Sequence, residues 1–143
     1  MADAMIAGLK VEIAKMKVGP GNDASNDMGP LVTRPHFEKV KGYVDTGVAE
    51  GATLLVDGRD VKVPQANADG YFMGPCLFDN VRPGMSIYQD EIFGPVLGVV
   101  RVKTLQEAMD MIDRHEYGNG TCIFTRDGEI GRASCRERVY SSV

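Results

Sequence analysis

The sequence is short of the residues from which metal and disulfide sites are built. Its three cysteines, Cys76, Cys122 and Cys135, are odd in number and show no C-x-x-C spacing, which argues against a disulfide framework and a zinc site. Its two histidines, His36 and His115, stand far apart in the chain, so neither belongs to a ligand cluster and both are expected at the surface. Basic charge is in deficit: 16 Lys and Arg against 20 Asp and Glu leave a net charge of -4, which disfavours capture of nucleic acid or anionic membrane. Long apolar runs are missing too. Nothing approaches the roughly 20 residues of a membrane helix, and the N-terminus lacks the basic-then-apolar order of a signal peptide. The composition reads as that of a soluble protein from a reducing compartment, with small-molecule or protein partners. There is no G-x-G-x-x-G or Walker spacing, so "GPG" and "YGNGT" read as helix stops and turns rather than phosphate loops.

What is present is an ordinary globular composition, 43% hydrophobic and 25% charged over 143 residues, sized for one domain. Met5, Ile6, Leu9, Ile13 and Met16 recur at three- and four-residue spacing and predict an amphipathic helix, ended by Gly19, Pro20 and Gly21. The Asn-, Asp- and Gly-rich stretch "GNDASNDMGP" is a connecting loop. Thr33 is placed to cap a second helix with Pro35 in its first turn, a buried stripe at Phe37, Val40, Val44 and Val48, and a stop at Gly51.

"ATLLVDG", "YFMGPCLFDNV" and "PVLGVVRV" are strand candidates, the last Val-rich enough to predict a parallel strand covered on both faces. Thr104 and Glu107 have capping-box spacing ahead of a helix with Leu105, Ala108, Met109 and Ile112 on one face. "TCIFT" at 121–125 would complete a strand, helix, strand unit of parallel crossover type. The fold class is α/β.

One stretch, "YQDEIFGPV" at 88–96, sets two acids, Asp90 and Glu91, against the apolar pair Ile92 and Phe93, then breaks at Gly94 and Pro95. Read from the residues alone, Glu91 is most simply a loop acid paired with a nearby Lys or Arg. With the following "VLGVVRVKTLQEAMDMIDRHEYGNGTCIFTRD", however, the chain resembles the aldehyde dehydrogenase superfamily, from the end of the first helix through Asp127. "GPGNDASNDMGPLVTRPHFEKVKGYVDTGVAEGATLLVDGR" and "GYFMGPCLFDNV" look most like its coenzyme A-acylating, methylmalonate-semialdehyde branch.

The resemblance implies a partial catalytic domain with parallel strands and crossover helices. It implies NAD as cofactor, coenzyme A as co-substrate, and a small aldehyde as substrate. A homo-oligomeric parent is implied as well, tetrameric by family, in the cytoplasm of a bacterium or the mitochondrial matrix of a eukaryote. It assigns Glu91 the hydroxyls of the nicotinamide ribose, a role that the two acceptor oxygens of a carboxylate suit, and sets Phe93 near the nicotinamide. Gly94 and Pro95 would then turn the chain into the Val-rich strand.

In the family an upstream Cys attacks the aldehyde, hydride passes to the nicotinamide, and coenzyme A takes the acyl group. That nucleophile is expected before the matching region, so no catalytic residue is assigned here. Cys76, between Pro75 and Leu77, reads as a small core residue, and so does Cys122. A non-acylating aldehyde dehydrogenase and a non-catalytic α/β binding or regulatory module remain open alternatives. After Gly128 the periodicity stops and Arg becomes frequent. Residues 130–139 can be back-translated into a string resembling a sequencing-library adapter. The expected organisation is therefore a partial catalytic domain over 1–128 and a non-native tail over 129–143.

Overall fold

The computed structural model describes residues 1–63, 69–118 and 120–128; the tail expected at 129–143 lies outside them. Helix α1 (Ala2–Lys15) forms where the apolar spacing places it, and Ile6, 7% exposed, is the residue it buries most fully. Helix α2 (Arg34–Ala49) starts as read. Thr33 accepts the His36 amide through Oγ1 at 3.3 Å, and Pro35 sits in the first turn, where a missing N–H costs nothing. Gly51, at φ 94, adopts the left-handed conformation that ends such helices.

Strands β1 (Thr53–Val56) and β2 (Cys76–Asp79), the short helix α3 (Ser86–Gln89), strand β3 (Val96–Gly98) and helix α4 (Leu105–Asp113) follow. The sheet order is β1-β2-β3, with β2 central and every one of its residues buried. Alternation along β2 separates two cores. Cys76 and Phe78 face α2 and pack with Val40 and Val44, while Leu77 faces α1 and packs with Ile6 and Val99. The result is a helix, sheet, helix sandwich. At its end, Arg101 donates through Nε and Nη2 to both Asp79 oxygens, at 2.9 and 2.8 Å, and reaches Asp3 of α1 at 2.6 Å.

The α/β class holds, with a parallel β2–β3 pair and a helix in its crossover, and four details differ from expectation. The sheet is mixed: β2 and β3 are parallel, but β1 runs antiparallel to β2. No helix is described between β1 and β2, so the chain returns alongside itself, whereas α3 provides the crossover that a parallel pair requires. Second, "PVLGVVRV" is not covered on both faces. Among the described residues β3 is an edge strand; Val99 reaches the α1 core, but Leu97 is 46% exposed.

Third, residues 121–125 form no strand among the described residues, and Phe124 is 96% exposed. A strand exists only through its ladder, and no described strand lies beside this segment. The fourth correction concerns cover. Helix α4 has its Thr104 cap, with Oγ1 accepting the Glu107 amide at 3.1 Å, yet Leu105 and Ile112 remain exposed because no further layer among the described residues packs over them. No helix among the described residues is long and apolar enough to cross a membrane.

Candidate cofactor site

The segment carrying the two acids runs against α2. Ile92 is its anchor, 9% exposed and packed in the same core as Val40 and Phe78. In extended chain the neighbours of an inward residue point outward, and Glu91 and Phe93 are both exposed, Phe93 by 72%. Phe93 sits at φ 52, a left-handed conformation that costs a bulky residue on the order of 1 kcal/mol and persists only where the surroundings impose it.

Those surroundings are specific. The next residue, Gly94, lies so close to α2 that a Cβ there would come within 2.6 Å of Val40 Cγ1. The Pro95 carbonyl accepts the Cys76 amide at 2.7 Å, which delivers the chain into β3 beside β2, so Gly94 and Pro95 make the turn expected of them.

The two acids have different surroundings. Tyr43 donates its hydroxyl to Asp90 Oδ2 at 2.7 Å, and that hydrogen bond, with some burial, raises the phenol above its ordinary range. Glu91 has no hydrogen bond or ion pair among the described residues. Glu91 and Phe93 stand on an open surface rather than in a closed pocket. A concavity of 580 Å³ bounded by Tyr88, Asp90, Met111, His115 and Tyr117 includes neither of them in its lining.

Both histidines depart from the surface expectation, since both are half-buried and engaged. His36 Nε2 lies 2.8 Å from the Phe93 carbonyl oxygen, so that nitrogen carries the proton and donates it. His115 Nε2 likewise donates to the Tyr88 carbonyl at 2.6 Å, while Nδ1 lies 3.1 Å from the Tyr117 amide. Composition hides both roles; the signal available for His36 was its spacing on α2, four residues before Val40 and seven before Tyr43.

Cys76 is a core residue, as read. It is fully buried, its Sγ accepts the Gly58 amide at 3.2 Å, and burial pushes the thiol up, away from nucleophilic character. Cys122 corrects the reading, because it is exposed: among the described residues its segment joins no sheet that would bury it. No group of three or more His, Cys, Asp or Glu placed to hold a metal occurs among the described residues. The exposed face of the loop therefore carries a carboxylate, Glu91, two residues from an open aromatic ring, Phe93.

Comparison with known proteins gives this geometry its context. The profile of the aldehyde dehydrogenase family matches residues 1–139. A malonate-semialdehyde dehydrogenase of Pseudomonas aeruginosa is 57% identical over 137 residues, which cover 96% of this chain and 27% of that protein. Among solved structures, a methylmalonate-semialdehyde dehydrogenase from Oceanimonas doudoroffii superposes with a TM-score of 0.88 at 55% identity, over 94% of this chain and 27% of its own. A Sinorhizobium meliloti protein assigned to the same activity and complexed with NAD gives 0.89 at 44% identity, with the same coverage of 94% and 27%. The chain thus spans about a quarter of the length of the relatives it matches, and it belongs to the aldehyde dehydrogenase family.

Proposed function

We propose that this chain is a segment of an NAD-dependent, coenzyme A-acylating dehydrogenase of malonate- or methylmalonate-semialdehyde type, contributing one wall of the cofactor site. The observation that carries the reading is the outward pair Glu91 and Phe93 on a loop fixed from below by Ile92, with Glu91 unengaged by other described side chains. NAD, when bound, supplies the hydride acceptor. Glu91 would accept hydrogen bonds from the two ribose hydroxyls and so orient the nicotinamide; Phe93 would shield one side of it from water. The role is positioning rather than bond-making. In this reading the nucleophilic cysteine belongs to another part of the parent enzyme, as the family resemblance implies, and Cys76, buried among apolar side chains, is a packing residue. The isolated chain is expected to form no NADH from aldehyde.

The test is Glu91→Gln in the full-length enzyme that contains this segment. Charge-assisted hydrogen bonds contribute about 1.5–3 kcal/mol, so Kd for NAD measured by fluorescence titration should rise roughly 10- to 100-fold. An unchanged Kd would remove the ribose role. The acylating assignment is checked separately by product analysis: acyl-coenzyme A should form when coenzyme A is present, whereas free acid regardless of coenzyme A would indicate the non-acylating chemistry.

A further inference from the structure

The loop that presents Glu91 and Phe93 has little hydrogen bonding of its own. Among the described residues, the amides of Glu91, Ile92 and Phe93 make no hydrogen bond to main chain, and the nearest such bonds are Asp90 N to Ser86 O and Val96 N to Gly94 O. Support comes instead from α2. His36, Val40 and Tyr43 are spaced i, i+4 and i+7, so they lie along one face of the helix. Tyr43 holds the near end of the loop through Asp90, and His36 holds the far end through the Phe93 carbonyl. Val40, 0% exposed, fills the space beneath Gly94 between them. The Thr33 cap stabilises the first turn of α2, where His36 sits and where an uncapped helix would fray.

We propose that His36 and Tyr43 are positioning residues that hold both ends of the 90–93 loop against Val40 and thereby set where Glu91 and Phe93 meet the cofactor. This rests on the ribose reading of Glu91 but concerns different residues. The donor demanded of His36 is a single N–H at imidazole reach. A glutamine side-chain amide supplies the same donor at nearly the same distance from its Cβ, whereas leucine fills the volume and supplies none.

The experiment uses the full-length enzyme with His36→Leu, Tyr43→Phe, the double variant, His36→Gln and Glu91→Gln, all checked for an unchanged circular dichroism spectrum. Each single loss is expected to raise KM for NAD about three- to tenfold while kcat changes less than twofold. The double variant should exceed either, and His36→Gln should return to within twofold of the parent. If Glu91→Gln raises KM for NAD while His36→Leu and Tyr43→Phe do not, or if His36→Gln fails to restore what His36→Leu loses, the positioning role is overturned. If Glu91→Gln itself has no effect, the ribose reading fails on its own. Amide exchange at 91–94 then decides the positioning role: at least fivefold faster exchange in His36→Leu supports it, and equal rates overturn it.

Discussion

Replacing Gly94 with alanine tests the fit of the loop on α2 directly. The new methyl carbon would lie 2.6 and 2.8 Å from the two Val40 methyls, against the ~3.5–4.0 Å of a relaxed carbon contact. Val40 is 0% exposed, so neither methyl can swing into solvent, and relief requires the loop to lift by about 1 Å. Overpacking of this kind costs about 1–3 kcal/mol, so Gly94→Ala should destabilise by about 2 kcal/mol. Val40→Ala alone should cost about 2 kcal/mol as well, through two lost methyls and the cavity they leave. In the double variant the added methyl enters that cavity. The combined loss should then be about 2 rather than 4 kcal/mol, a coupling well outside the scatter of independent sites. Urea titration of the four proteins by far-UV circular dichroism measures it, with m-values compared to confirm a common unfolding transition. Additive losses, or a neutral Gly94→Ala, would refute the contact and with it the account of why glycine stands there.

Gly58→Ala should be more damaging than Gly94→Ala, because its Cβ would run into the Gly74 carbonyl oxygen and lie 2.7 Å from the Pro75 oxygen, atoms that cannot rotate away. The same urea titration checks this, and a variant as stable as the parent contradicts it. Hydrogen bonds from Arg101 hold Asp79 below the ordinary carboxylate range. A depressed folded value means that its contribution is present above an ordinary aspartate pKa of about 4 and is lost as pH falls below it. Asp79→Asn should therefore lower stability at neutral pH and flatten its fall in acid, seen in melting temperatures from pH 7 to 2. Thiol labelling should separate the two described cysteines: Cys122→Ser removes one equivalent of fast-reacting thiol, while Cys76→Ser removes none. Sequencing the source DNA across residues 129–143 is expected to show adapter sequence in place of a native continuation; any other nucleotide string there rejects that proposal.

What could be read from the chain was what depends on neighbours in sequence. The two long helices, the Thr33 and Thr104 caps and the stop at Gly51 follow from local spacing and conformational preference, and all are present. Strand direction and cover depend on residues far apart. Nothing within "TLLV" states that it will run against β2, and nothing within "TCIFT" states that no described strand will lie beside it. The four-residue α3 is too short to register a period. The site divides in the same way. Glu91 and Phe93 were found through a motif, but His36 was passed over because its partner, the Phe93 carbonyl, lies 57 residues away.

Helix α2 also serves as a ruler. From His36 to Tyr43 is seven residues, about 10.5 Å along a helix axis at 1.5 Å per residue. From Asp90 to Phe93 is three residues, about 10 Å of extended chain at roughly 3.3 Å each. The two lengths agree, which is why one rigid element can grip the other at both ends without bending it. A single inserted residue between 36 and 43 would turn the far grip by about 100° around the axis and shift it by about 1.5 Å. Another side chain that donates a proton could serve at either end, but the count of residues between them is fixed by geometry.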